Sequence, residues 1–181
     1  MTSASTPTDP AFDPDRLLAT LNRHHVDYLL IGGYAARVYG ATRPTTDIDV
    51  IPNRSRGNLD RLAAAMRDLN ARLRVVGDPT EESLHVTIDA ILLDRMQLST
   101  WRTDAGDLDV LADIADRDGR PRGYDDLVAA ATTLTLAGRP VLVAALDDII
   151  ASKQHANRPK DRDALPELET LHAELDNSIE P

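Results

Sequence analysis

Residues 32–49 read GGYAARVYGATRPTTDID, and this stretch decides the fold. The run before it, residues 26–31, is mostly apolar and predicts a buried strand that ends in a tight turn at the glycine pair. The alanine-rich residues 34–39 predict a short helix. Polar and apolar residues then alternate over 47–51, and this alternation predicts a second, half-buried strand.

The glycine pair and the aspartate pair meet two separate needs of nucleotide chemistry. Gly32 and Gly33 let the backbone approach phosphate oxygens closely, and the start of the following helix offers free N–H groups. Side chains two apart on a strand point the same way, so Asp47 and Asp49 share one face while Ile48 enters the core. The sequence therefore predicts a phosphate site beside a carboxylate pair.

Two carboxylates on one face repel each other unless a cation lies between them. Such oxygen ligands suit Mg²⁺, which would bridge the oxygens of a nucleoside triphosphate. A third acid, Asp109, lies in GDLDVL, residues 106–111, on a predicted strand, and a second Mg²⁺ held with it would lower the pKa of an attacking hydroxyl. Asp-x-Asp alone also fits a solvated strand edge. The metal site is therefore predicted from Asp47, Asp49 and Asp109 together with the glycine turn.

The remaining pattern predicts one α/β (α+β) domain. Residues 1–13 lack hydrophobic periodicity and are expected to form a disordered leader, so residues 14–181 are expected to form a single domain with C-terminal helices from about residue 145. Periodicity and turn residues predict the further elements. These are helices over 15–25, 58–73, 124–131, 146–155 and 159–175, and strands over 96–101, 107–111, 134–136 and 141–143.

The segment GGYAARVYGATRPTTDID resembles the glycine turn and Asp-x-Asp pair of the DNA polymerase β-type nucleotidyltransferase superfamily. The resemblance implies the small mixed sheet of the nucleotidyltransferase fold, packed helices, and a helical C-terminal portion that closes the cleft. Residues 34–46 form a longer spacer than that of the minimal antitoxins of this superfamily. The spacer is closer to that of AbiEii/MenT-like toxins and of aminoglycoside or lincosamide nucleotidyltransferases.

The C-terminal residues favour the toxin-like group. LDDIIASK, residues 146–153, and NRPKDRD, residues 157–163, are similar to the lysine-containing and Lys-Asp-containing helical motifs of AbiEii/MenT-like proteins. By this resemblance Lys153 contacts the triphosphate, and Asp161 lies near the active site, where it positions Lys153.

Four further residues are candidates for binding nucleotide. Arg158 and Lys160 stand at the start of a predicted helix, where cations oppose the helix dipole. Two explanations for these cations stay open: they bind phosphate, or they only solvate the helix start. Arg43 lies in the loop before the metal pair and would meet phosphate, acceptor or only solvent. The hydroxyl of Thr46 would assist phosphate binding.

Composition narrows the class of protein. The chain has a net charge of -10, which argues against a protein that coats nucleic acid by electrostatic attraction. It has no cysteine, which excludes disulfides, zinc-thiolate sites and thiol nucleophiles. The first dozen residues lack the pattern of a signal peptide, and the sequence has no apolar run of membrane-spanning length. A cytoplasmic location without membrane contact is the expectation.

The sequence thus predicts a magnesium-dependent nucleotidyltransferase of the toxin-like group. By resemblance, this enzyme transfers a nucleoside monophosphate to the 3′ end of tRNA, and a cognate antitoxin protein neutralises it. One alternative is an antibiotic-modifying enzyme, because an acidic protein suits a cationic aminoglycoside acceptor. The other is a catalytically inactive binding module or antitoxin of the same fold, against which the complete carboxylate set argues.

Overall fold

A computed structural model describes residues 11–74, 83–84 and 86–179 of the chain. The helices of this part are α1 (Pro14–Arg23), α2 (Gly32–Val38), α3 (Arg56–Asp68), α4 (Ala90–Arg95), α5 (Tyr124–Leu127), α6 (Leu146–Ala156) and α7 (Pro159–Ile179). The strands are β1 (Tyr28–Ile31), β2 (Asp47–Pro52), β3 (Arg72–Arg74), β4 (Ser83–Leu84), β5 (Leu98–Thr103), β6 (Gly106–Leu111), β7 (Asp113–Ala115), β8 (Pro121–Gly123), β9 (Thr132–Leu136) and β10 (Arg139–Val143).

Eight of the described strands form one mixed sheet in the order β4-β3-β5-β6-β2-β1-β10-β9. The pairs β2–β6 and β1–β10 are parallel, and the other neighbours in this sheet are antiparallel. Strands β7 and β8 form a separate hairpin. The predicted α/β (α+β) class, with a mixed sheet and packed helices, is confirmed.

The central strands place the aspartates in register. In the parallel pair β2–β6, Asp49 lies opposite Asp109. Ile48 and Val50 are fully buried, as the alternation predicted, and Leu108 of β6 is also fully buried. Because their apolar neighbours fill the core, the aspartates of both strands lie on the opposite, half-exposed face of the sheet.

Two helices end earlier than predicted, because the helical spacing of apolar residues continues by chance beyond their ends. Helix α3 was predicted to run over 58–73, but it ends at Asp68, and Leu73 lies in β3. Asn70 has a φ of 51°, and this left-handed conformation ends the helix and turns the chain into the sheet. The helix predicted over 124–131 is also shorter, because α5 gives way to a 3₁₀ turn at Val128–Ala130.

Smaller differences affect the starts of elements. The first predicted strand, residues 26–31, begins only at Tyr28, and α2 begins at Gly32 itself rather than after the glycine pair. The predicted end of β2 before Pro52 is wrong by one residue. Helix α4 and the β7–β8 hairpin were not predicted.

The two ends of the described chain are helical, and local interactions mark where these helices begin and end. Most of the predicted leader, residues 1–13, lies outside the described residues, but the Phe12 ring meets Tyr34 edge-on at 6.1 Å. The side chain of Asp13 caps α1 by accepting a hydrogen bond from the Arg16 N–H at 3.0 Å. At the other end, α6 stops at Asn157 in a left-handed conformation, and α7 follows it.

Among the helices of the described residues, none combines the length and apolar character needed to cross a bilayer.

Candidate active site

Three aspartates form a cluster on the half-exposed face of the sheet. Asp47 and Asp49 come from β2, and Asp109 comes from the neighbouring strand β6. Each offers one carboxylate oxygen, and these oxygens all lie within 4.8 Å of one another. The predicted set of metal ligands is therefore brought together by the parallel pairing of two strands.

The cluster is electrostatically strained in the absence of a cation. Burial, followed by repulsion from Asp47 and Asp109, raises the pKa of Asp49 to about 7. A hydrogen bond from the Gly33 backbone opposes this rise. Burial also raises the pKa of Asp109, while a hydrogen bond from the Thr100 side chain opposes the rise. A positive ion between the carboxylates would relieve both effects.

The donor set fits a divalent cation that prefers oxygen ligands. Asp109 Oδ1 is buried and has no hydrogen-bond partner within the described part of the chain, which leaves a costly acceptor unsatisfied. Carboxylate oxygens are the ligands that Mg²⁺ takes from proteins, in combination with substrate phosphates. Asp47, Asp49 and Asp109 would hold such an ion.

The glycine turn packs directly against the carboxylates. Gly32 has a φ of +70°, and a Cβ built on it would lie 2.0 Å from Asp49 Oδ2. A Cβ on Gly33 would lie 2.9 Å from Thr45 Oγ1. Gly32 therefore excludes a side chain, whereas a side chain at Gly33 would displace Thr45. The N–H of Gly33 donates to Asp49.

A cleft of about 320 Å³ opens over the aspartate cluster. Its walls come from the start of α2, the loop 41–46, the end of α6 and the first half of α7. Apart from Asp161, all residues predicted from the sequence for catalysis, metal or nucleotide binding line this cleft: Gly32, Gly33, Arg43, Thr46, Asp47, Asp49, Asp109, Lys153, Arg158 and Lys160.

Asp161 lies behind the cleft wall, with a fully buried side chain. It accepts hydrogen bonds from Arg158 Nε at 2.5 Å and from Lys153 Nζ at 3.4 Å. Although burial opposes it, the hydrogen bond from Arg158 and the charge of Lys153 hold the pKa of Asp161 below its ordinary value. Asp161 therefore remains ionised and orients two cations that face the cleft.

Two polar residues of the cleft were missed in the sequence. Thr45 contacts the aspartate cluster, because its Oγ1 donates to Asp47 Oδ1 at 2.5 Å. The position of Thr45 two residues before an aspartate, on the same side of an extended chain, is the signal that could have identified it. Glu167 of α7 also lines the cleft, and no local pattern marks it.

Comparison with known proteins gives matches in structure only. No protein-family model matches the sequence, and no curated protein matches it either. The lincosamide antibiotic adenylyltransferase LnuA, solved with lincomycin bound, superposes with a TM-score of 0.58 at 12% identity over 90% of this chain and 99% of its own. The antibiotic-resistance factor ANT(2″)-Ia, in complex with adenylyl-2″-tobramycin, gives a TM-score of 0.51 at 18% identity over 90% of this chain and 94% of its own.

A third match is a protein of Thermotoga maritima, TM1012, which is provisionally named a nucleotidyltransferase. It gives a TM-score of 0.50 at 16% identity over 93% of this chain and 97% of its own. At these identities the similarity concerns the fold. The chain therefore has the fold of nucleotidyltransferases, as the glycine turn and the aspartate pair predicted.

Proposed function

We propose that this protein is a magnesium-dependent nucleotidyltransferase that moves a nucleoside monophosphate from a nucleoside triphosphate to an acceptor hydroxyl. One observation carries the proposal: a cluster of three acidic oxygens and a set of cationic side chains share one cleft. The acids suit two Mg²⁺ ions, and the cations suit the phosphates of the nucleotide. The fold shared with known adenylyltransferases supports this reaction class.

The side chains of the cleft divide the work of the transfer. Lys153 and Arg158, both held by Asp161, bind the oxygens of the triphosphate, and Lys160 lies near enough to Asp49 and Asp109 for its charge to act on both. The oxygen of the acceptor hydroxyl forms a new bond to the α-phosphorus, the bond from that phosphorus to the oxygen shared with the β-phosphate breaks, and pyrophosphate leaves. The proton of the acceptor hydroxyl passes to the carboxylate cluster, where Asp109 is the proposed base. Bound Mg²⁺ would neutralise charge at the reacting phosphate and lower the pKa of the hydroxyl. Catalysis is then mainly positioning and charge neutralisation.

For the acceptor we infer the 3′ end of tRNA, and for the biological role a toxin neutralised by a cognate antitoxin. The resemblance of residues 146–163 to AbiEii/MenT-like motifs supports this choice. Arg43, Arg158 and Lys160 line the cleft, and together they give an acidic protein a local basic surface for a polyanion.

An antibiotic acceptor is the second candidate. Of the structural neighbours, LnuA is by name a lincosamide antibiotic adenylyltransferase, and ANT(2″)-Ia is by name an antibiotic-resistance factor. The net charge of -10 suits a cationic aminoglycoside. On this reading the exposed acids of the protein attract the acceptor, and the cations of the cleft serve the triphosphate alone.

The two acceptors can be separated in one labelling experiment. The protein is incubated with Mg²⁺ and each α-labelled nucleoside triphosphate, together with total tRNA or with a panel of aminoglycosides and lincosamides. Label on tRNA supports the toxin, and label on a drug supports the resistance enzyme. Asp49→Asn, which keeps the shape of the side chain but removes its charge, is the matched inactive control. If neither class of acceptor becomes labelled by the wild type, both readings are wrong.

A further inference from the structure

A carboxylate of α7 holds the loop that forms one wall of the cleft. Glu167 Oε1 accepts a hydrogen bond from the Thr42 backbone N–H at 2.7 Å and another from Thr42 Oγ1 at 2.8 Å. Two donors from one residue therefore converge on one carboxylate oxygen. Thr42 belongs to the loop 41–46 between α2 and β2, whereas Glu167 lies nearly two turns of α7 beyond Asp161.

The loop 41–46 connects this contact to the metal cluster. Its second residue, Thr42, is bound to α7, and Thr45 donates from the loop to the carboxylate of Asp47. Between these two anchors lies Arg43, an exposed residue that lines the cleft. The position of the Arg43 side chain over the cleft therefore depends on both hydrogen-bonded ends of the loop.

The charge of Glu167 is unexpected at its position. It lines a cleft that is proposed to hold a triphosphate, and a carboxylate there repels phosphate oxygens. Hydrogen bonds from the Thr42 backbone and hydroxyl hold the pKa of Glu167 below its ordinary value, and the nearby charge of Arg43 adds to the effect. The residue therefore stays ionised, and electrostatics alone predicts that its removal strengthens nucleotide binding.

We propose that Glu167 is a positioning residue that holds the loop 41–46 against α7, so that Arg43 stands over the cleft in the place where it meets the triphosphate. This inference rests on the proposed function, because it requires that the cleft binds a nucleoside triphosphate. It predicts the opposite sign from simple electrostatics: loss of the negative charge together with its hydrogen bonds weakens nucleotide binding.

The test uses calorimetry to measure the Kd of each of the four nucleoside triphosphates for the protein in the presence of Mg²⁺. For Glu167→Ala we expect the Kd of the preferred nucleotide to rise roughly tenfold, about the effect of one charge-assisted hydrogen bond. Glu167→Gln keeps an oxygen that accepts from Thr42, so it should bind nearly as tightly as the wild type. The control Glu169→Gln removes an exposed charge from the same helix and should leave the Kd unchanged.

A double-mutant comparison with Arg43→Ala tests whether Glu167 acts through the loop. If it does, Glu167→Ala adds little to the loss caused by Arg43→Ala, and the double variant binds roughly tenfold rather than a hundredfold more weakly than the wild type. Thermal unfolding of each variant checks that the fold is kept. Additive losses would mean that Glu167 acts by another route and would overturn the inference.

Failure of the inference and failure of the proposed function give different results. Wild-type protein that binds none of the four nucleotides in the presence of Mg²⁺ contradicts the proposed function. Wild-type binding combined with unchanged or tighter binding by Glu167→Ala contradicts the positioning role alone. An equal loss in Glu167→Gln and Glu167→Ala would also contradict it, because the hydrogen bonds to Thr42 would then not matter.

Discussion

Replacing Asp49 with asparagine should stabilise the metal-free protein while abolishing its activity. Burial and the charges of Asp47 and Asp109 raise the pKa of Asp49 from 3.8 to about 7. A shift of this size corresponds to about 4 kcal/mol. Coulomb's law gives about 3 kcal/mol for two like charges at the 4.8 Å limit of the cluster, with an effective dielectric constant of about 20. We expect a gain in the free energy of unfolding of about 2 to 4 kcal/mol.

The gain should depend on pH in a defined direction. Because the pKa of Asp49 is higher in the folded protein, the folded state binds an extra proton between about pH 4 and pH 7, and wild-type stability falls as the pH rises through this window. At pH 8 Asp49 is ionised, so the asparagine variant should be the more stable protein. At pH 5 Asp49 is protonated in the folded protein but ionised in the unfolded protein, so the difference should be clearly smaller than at pH 8, and it should vanish only below about pH 4.

The assay is urea unfolding of both proteins at pH 5 and pH 8, first with EDTA and then with Mg²⁺. Mg²⁺ should stabilise the wild type at pH 8 and have much less effect on Asp49→Asn, since ligand binding to the folded state adds to its stability. Asp107→Asn is the matched control. Asp107 lies on the same face but is paired with Arg74 at 2.6 Å, so its loss should destabilise the protein, with or without Mg²⁺.

The reasoning is refuted if Asp49→Asn is less stable than the wild type at pH 8 in EDTA. It is also refuted if Mg²⁺ stabilises both proteins equally, because the cluster would then not be the site that binds the ion.

Three further substitutions test the surroundings of the cluster. Gly32→Ala should lower activity by more than a hundredfold and destabilise the fold by more than about 2 kcal/mol, because φ is +70° and the new Cβ would overlap Asp49. The labelling assay measures the activity, and thermal melting measures the stability. Asp161→Asn should destabilise the protein by about 3 kcal/mol at pH 7, because it leaves two cations without their buried partner. Because the pKa of Asp161 is lowered in the folded protein, urea unfolding should show that this difference is lost below about pH 4. Thr45→Val should weaken Mg²⁺ binding several-fold by freeing Asp47, and an unchanged calorimetric Kd would contradict this.

Local patterns in the sequence predict those features of the fold and the site that depend on residues close together in the sequence. Alternation over β2 placed Ile48 in the core and Asp49 on the open face, and the structure agrees. The strands predicted over 134–136 and 141–143 lie in β9 and β10, which pair as a hairpin, and the two C-terminal helices were also predicted. Turn residues separate the two strands, and a proline marks the start of the last helix. These features depend on neighbours within a few residues.

Features that depend on distant residues were missed or misjudged. Leu69 and Leu73 continue the apolar spacing of α3, but Leu73 pairs with Trp101 of β5, and this contact draws the chain into the sheet. The hydrogen bond from Thr42 to Glu167 joins residues that are far apart in the sequence, and no spacing rule connects them. Helix α4 is too short for its periodicity to be distinctive.

The aspartate cluster itself follows from the packing of the core. Asp109 reaches the cleft only because Leu108 and Val110, its neighbours on β6, are 0% and 4% exposed on the other face. A shift of one residue in this strand would turn the aspartate into the core and an apolar side chain towards the cleft. Burial of these apolar side chains therefore fixes the register, and the register places Asp109 opposite Asp49. The repulsion between the two carboxylates is sustained by the core beneath them, which explains why neutralising Asp49 should strengthen the fold that positions it.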